Sequence, residues 1–250
     1  MAATLLSPEQ LAGVNDKLDR ADESIRDLNV KIAAFLKECR TSRGGDDWQK
    51  VTKELIDSHQ VIPPRFGVMA GEITHHLRSV FDHLIWMLSS ETYRRSNERA
   101  ITFPVCTEKL ATKDEISSYR RKIKGIDSSA ARDLIERLQP YNAANPMDDP
   151  LFILNEFDRE DKHHTLILIV SLWNLRATLP NRFTTFVISG FDEKREWMDA
   201  VAAPKAELQF SPYIAFAQVG RWKGEAVIPA LTHLLNTVRD DVRLFSELTI

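Results

Sequence analysis

P-L-F-I-L-N-E-F-D-R-E-D-K-H-H-T-L-I-L-I-V-S-L-W, residues Pro150 to Trp173, is the stretch on which the fold turns. Asp149 followed by Pro150 predicts a helix start, with a side-chain cap and a proline at the first helical position. Leu154, Asp158, Asp161, Thr165, Leu168 and Leu172 then recur at spacings of three and four, which is one stripe on a helix. Asp158 and Asp161 fall within roughly 40° of the centre of the face set by Leu154, Phe157, Leu168 and Leu172. Two carboxylates therefore occupy core-facing positions. Burying them costs several kcal/mol unless donors or a cation meet them. The stretch predicts a central helix and, opposite it, an element built to receive the acids.

Working outward, helix two is expected from about Gly67 to Ser90, with Ile73, Leu77, Val80, Phe81, Leu84 and Leu88 on its core face. A second stripe carries Glu72, His76, Ser79 and His83, and a flank carries His75, Arg78 and Asp82. Arg78 and Asp82 also suit an ordinary i, i+4 ion pair. Antiparallel packing of the two helices would bring Arg78–His83 to Asp158 and Asp161. Arg78 is the expected counter-ion, because its planar fork suits a carboxylate. His83 or His163 is expected to be held by a carboxylate. Such a cluster suits either acid–base chemistry on a phosphodiester or a buried polar layer that sets helix register.

The remaining chain frames this pair. Ser7, Pro8 and Gln10 predict a capping box. Leu11, Val14, Leu18, Ala21, Ile25, Leu28, Ile32, Phe35 and Cys39 continue as a heptad seam for about four heptads, roughly 45 Å of helix. That seam packs within the chain or zips a homodimer. Trp48–Gln60 carries both helix and edge-strand features. Glu91–Ala100 reads as a polar connection, Ile101–Val105 as a short strand, and Thr112–Ile123 and Ser128–Gln139 as short helices. Arg120, Arg121, Lys122 and Lys124 form the most basic cluster, either a solvated face or a nucleic-acid contact. Phe183–Ser189 and Leu208–Val219 predict antiparallel strands, with Pro212 at an edge or bulge. Ile228, Leu231, Leu235, Val238, Val242 and Phe245 mark a closing helix.

The expected fold is therefore a predominantly α, α+β single domain over residues 1–250: a helical bundle with a small antiparallel sheet from its C-terminal third. Its parts are a long heptad helix (1–40), a helical core with the candidate site (67–175), the sheet (181–220) and the closing helix (225–250). A net charge of −3 offers no global attraction for nucleic acid or anionic membrane. Two distant cysteines, Cys39 and Cys106, predict a reduced, cytoplasmic protein. No signal peptide or membrane-spanning segment is predicted.

Two resemblances attach to these residues. G-E-I-T-H-H-L-R-S-V-F-D-H-L (Gly71–Leu84), L-Q-P-Y (Leu138–Tyr141) and P-L-F-I-L-N-E-F-D-R-E-D-K-H (Pro150–His163) resemble a family of uncharacterised bacterial proteins with LRSxxDHL and DxxDKH segments. That resemblance implies the grouping of Arg78, Asp82, His83, Asp158, Asp161, Lys162 and His163, and it brings no activity. The sequence departs from the pattern at Glu72 and His76, where the family has Asp and Asn. Arg78 and His83 are also similar to the R-x4–6-H motif of the HEPN superfamily. This second resemblance implies metal-independent RNA cleavage, with His83 moving the proton and Arg78 stabilising phosphate charge. The two side chains lie about 140° apart on an ideal helix, so joint action needs a kink or a wide cleft.

The functional expectation is a HEPN-like ribonuclease, or a nucleotide- or RNA-binding relative, without a cofactor. Its catalytic residues would be Arg78, His83, Asp82, Asp158, Asp161 and His163; its binding residues would be His76, Lys162, Arg120, Arg121 and Lys122. Two alternatives stand beside it. One is a non-enzymatic interaction protein whose Arg/His/Asp cluster is structural. The other is a di-metal carboxylate bundle using two Glu-x-x-His pairs, Glu72 with His75 and Glu160 with His163.

Overall fold

The structure, a computed structural model, describes residues 4–42, 62–179, 182–188, 207–217 and 222–249. The order is α1 (Pro8–Ser42), α2 (Pro64–Leu88), α3 (Glu91–Asn97), α4 (Lys113–Ile123), α5 (Ser129–Arg137), α6 (Pro150–His163), β1 (Leu168–Leu179), β2 (Arg182–Ile188), β3 (Glu207–Phe216) and α7 (Val227–Ser246). Single 3-10 turns sit at Glu98–Ala100, Pro140–Asn142 and Pro146–Asp148. The described chain is predominantly helical with a small antiparallel sheet, as expected. The ambiguous Trp48–Gln60 segment lies outside the described residues.

Local chemistry sets the helix starts. Ser7 N–H donates to Gln10 Oε1 at 2.8 Å, and Gln10 N–H donates to Ser7 Oγ at 3.3 Å, so the capping box forms. Thr112 and Glu115 form a second box at α4. Asp149 Oδ1 accepts from Leu151 N–H at 2.9 Å and Phe152 N–H at 3.3 Å, which starts α6 where the proline predicts. Burial raises the Asp149 carboxyl above its ordinary range. Asp241 on α7, half-buried, is pushed up to about 7 by its loss of solvent first and then by Asp149 and Asp240.

The seam of α1 is spent inside the chain. Leu11, Val14, Leu18, Ala21, Ile25, Leu28 and Ile32 are all buried, and α1 packs on α2 and α7. The homodimer expected through this seam loses its apolar surface. Arg239 of α7 reaches Asp22 of α1 at 3.0 Å and fixes the two helices' register. The ends of the chain meet as well: Leu5 N–H donates to Leu248 O at 2.7 Å.

The central stretch departs from expectation. The helix ends at His163, with His164 already extended, and β1 begins at Leu168. Leu168 and Leu172 therefore lie on a strand and do not continue the stripe of Leu154 and Asp158. Leu-Ile-Leu-Ile-Val is a short apolar run whose period suits both states, and the antiparallel pairing with β3 decides it. The sheet order is β2-β1-β3, with Leu168 opposite Phe216 and Leu175 opposite Ile188. β3 is an edge, which accommodates Pro212. Gly224, at φ 86°, turns the chain toward α7. Phe157 of α6 meets the Phe216 ring at 4.5 Å and joins the sheet to the helical core.

Two smaller corrections concern the connections. Glu91–Ala100 is mostly helix, and Ile101–Val105 forms no strand. Among the described residues no helix is long and apolar enough to cross a membrane.

Candidate functional site

Helices α2 and α6 run antiparallel, and four levels of contact tie α2 to α6 and to the residues just after it. Gly67 lies against the backbone carbonyl of Leu166, where an added methyl would come within 2.2 Å of the oxygen. Gly71 lies against Asp161, where a methyl would come within 1.8 Å of Oδ1. Next along α2, His75 Nδ1 is 2.8 Å from Asp158 Oδ1. Arg78 Nε donates to Asn155 Oδ1 at 3.2 Å. Gly67, Gly71, His75, Arg78 and Asp82 recur at spacings of four, four, three and four, so they share one face. Two glycines at its start let α6 and the residues after it approach closely.

This gives a first prediction. Gly67→Ala should destabilise the protein by about 1–3 kcal/mol, because its methyl meets backbone that has to shift. Gly71→Ala should cost less, because the Asp161 carboxylate is a side-chain end that can swing away. Urea denaturation of the two variants checks this; equal midpoints would mean the helices do not touch at Gly67.

Arg78 is the structural centre of the layer. It is 8% exposed. Its three nitrogens serve three elements: Nε to Asn155, one terminal nitrogen to Asp82 Oδ1 at 2.8 Å, and the other to Phe103 O at 3.0 Å. Asp82 Oδ1 also accepts the Phe103 N–H at 2.8 Å. The side chains of Arg78 and Asp82 thus bind both backbone groups of Phe103, as a neighbouring strand would. The strand expected at Ile101–Val105 is extended chain held by this ion pair.

Asp158 is buried, as expected, but its partners differ. His75 binds one oxygen, and Lys162 Nζ binds the other at 2.6 Å. The carboxylate only accepts, so the His75 Nδ1–H donates and Nε2 is left outward. Arg78 is not the counter-ion of Asp158. Asp161 is half-buried; burial first, and then Asp158, raises its pKa, against which His75 lowers it. His163 is exposed and holds no carboxylate among the described residues. His75 was missed as a partner, although its spacing of four from Gly71 puts it on the same face.

His83 and His76 belong to the other side of α2. His83 is exposed, and its pKa is lowered by burial and then by Lys17 of α1. His76 is depressed by burial first and then by Lys17, and its Nδ1 is buried without a hydrogen-bond partner. The helix Pro64–Leu88 is continuous. Arg78 faces α6 and Phe103 while His83 senses α1, so the two do not converge. Among the described residues no group of three or more His, Cys, Asp or Glu is placed to hold a metal. The set Glu72, His75, Glu160 and His163 is therefore not assembled.

The basic cluster, by contrast, lines a cavity. About 700 Å³ of space lies between α3 and α4, walled by Tyr93, Asn97, Lys113, Ser117, Arg120, Arg121 and Lys124, with Ile116. No acid lines it. None of its four cations pairs with an acid among the described residues. Lys122 is outside it, near enough to lower the Cys106 thiol that burial raises. The walls are fixed to each other: Tyr93 Oη donates to Arg121 O at 2.5 Å, and Ser90 N–H donates to Gly125 O at 2.7 Å. A methyl on Gly125 would come within 2.4 Å of the Tyr93 ring, so the glycine makes room for it. Capture of a phosphate or similar anion is the chemistry this arrangement supports.

Comparison with known proteins finds no matching family model, curated protein or solved structure.

Proposed function

We propose that the protein binds a phosphate-bearing ligand of the nucleotide or RNA kind in the basic cavity between α3 and α4, and does not cleave it. The carrying observation is a cavity whose four cations pair with no acid, and which no acid lines, among the described residues, in a chain whose net charge is −3. In a mildly acidic protein a concentrated basic site is a local arrangement and not a by-product of composition. Cleavage by Arg78 and His83 is left out because Arg78 is occupied by three structural hydrogen bonds. The α2–α6 layer is then the frame that holds the α2–α3 corner, and the polar cluster within it is structural.

The test is ATP and total RNA titrated against the wild type and an Arg120→Glu, Arg121→Glu variant. The variant should bind about tenfold or more weakly, keep its melting temperature, and show a shallower salt dependence. RNA incubated with wild-type protein should stay intact. Unchanged binding after charge reversal would remove the cavity from the account, and RNA cleavage lost in His83→Ala would restore the catalytic reading.

A further inference from the structure

We propose that the α3–α4 cavity is a track for a short single strand of nucleic acid, with linked phosphates along α4 and bases against the aromatic residues of α2 and α3. The inference rests on the phosphate-binding reading above and adds the shape of the ligand.

Lys113, Ser117, Arg120 and Lys124 follow at spacings of four, three and four along α4, so they form one row. At a rise of 1.5 Å per residue the row is about 16 Å long, with the Lys113–Arg120 step about 10 Å and the Arg120–Lys124 step about 6 Å. The phosphates of one mononucleotide are joined within a few bonds and reach one station at a time. A stacked strand advances about 3.4 Å per nucleotide, so about five nucleotides cover the row.

The opposite wall supplies surfaces for bases. Tyr93 lines the cavity. Trp86, at the end of α2, is 37% exposed, and the Arg94 guanidinium lies 5.7 Å from its ring centroid. Trp86 and Arg94 lie outside the cavity lining itself; Arg94 directly follows Tyr93, so this stacked pair would meet a strand that runs on past the Tyr93 wall. A positive groove with neighbouring π-faces is the combination that holds single strands without reading sequence. A duplex hides its base faces and gains only the phosphate contacts. Asn97, one turn beyond Tyr93, adds an amide for a sugar or base edge. The Tyr93–Arg121 and Ser90–Gly125 bonds hold the two walls before any ligand arrives, so little ordering is needed on binding.

The probes are fluorescent uridylates of one, four and eight nucleotides, oligothymidylate of eight, a duplex of eight pairs, and inorganic polyphosphate, all at one salt concentration. Tetra-uridylate should bind about tenfold or more tightly than the mononucleotide, with a smaller gain to the octamer. Octathymidylate should bind comparably, because neither phosphate nor base stacking requires the 2′-hydroxyl. Lys113→Glu and Lys124→Glu, at opposite ends of the row, should each weaken the tetramer about tenfold and weaken the mononucleotide by a clearly smaller factor. Trp86→Ala should weaken the oligouridylates about tenfold and leave polyphosphate unchanged. All these variants are at exposed positions and should melt like wild type. A mononucleotide that binds as tightly as the tetramer overturns the track and leaves the nucleotide reading standing. A duplex that binds as tightly as the single strand also overturns it, as does Trp86→Ala with no effect on any oligonucleotide. Failure of every probe overturns the phosphate-binding reading itself.

Discussion

Arg78→Met should lower the stability of the protein by about 3–5 kcal/mol, the largest effect expected of any single substitution here. Methionine restores much of the apolar stem, so packing is not the main loss. The loss is of the three groups that the guanidinium satisfies. Asn155 Oδ1, Asp82 Oδ1 and the Phe103 carbonyl would all lose a donor, and the Arg78–Phe103 bond is fully buried. Each orphaned buried acceptor costs about 1–3 kcal/mol. Replacing both members of a buried pair by apolar groups is often harmless, but here the partners stay. Arg78→Lys keeps the charge and still fails to reach three acceptors in different directions, because an ammonium lacks the planar fork. It should recover less than half of the loss. Urea unfolding gives the numbers. Arg78→Lys indistinguishable from wild type would mean that one ion pair, with Asp82, is all that Arg78 supplies.

Asp158→Ala should cost about 2–3 kcal/mol. The carboxylate is 5% exposed and accepts from His75 and Lys162, so two charge-assisted hydrogen bonds and some core packing are lost together. The figure stays below that for Arg78 because of what is left behind. The His75 and Lys162 side chains are 57% and 58% exposed, so both can turn to water after the acid is removed. A cation trapped in the interior would cost more. Asp158→Asn keeps the shape and one acceptor and should lose about half as much. His75→Gln and Lys162→Met, which leave Asp158 with one partner each, should be milder than Asp158→Ala. A thermal melt of Asp158→Ala within a degree of wild type would show that the layer contributes nothing to stability.

Both variants separate the frame from the proposed binding site. Neither Arg78 nor Asp158 lines the α3–α4 cavity. At temperatures where the variants are still folded, their RNA and nucleotide binding should match wild type.

How much of this was legible without coordinates differs element by element. The starts of α1, α4, α5 and α6 were written locally, because a capping side chain and the backbone it satisfies lie within three residues. The seams of α1, α2 and α7 were legible because burial on one face leaves a repeat of three and four. Asp158 was identifiable as a buried acid because the apolar residues around it define the face it shares. The basic row on α4 was legible as charge, although nothing in its own spacing distinguishes a solvated face from the wall of a cavity.

The rest was decided by partners distant in the chain. Leu168–Trp173 fits helix and strand equally well in isolation, and the hydrogen bonds that choose strand come from Glu207–Phe216. Ile101–Val105 has the composition of a strand, yet its backbone is satisfied by the side chains of Arg78 and Asp82. The partner of Asp158 followed from the close approach at Gly67 and Gly71, which sets the register of α2 on α6 and puts His75 opposite the acid and Arg78 a turn away. Sequence alone determined the buried faces of α1, α2 and α7, where the capped helices begin and that ionisable groups gather on α2 and α6. Only the tertiary structure decided which of those groups meet, because pairing depends on the relative register of two helices and periodicity is blind to a shift of either one along its axis.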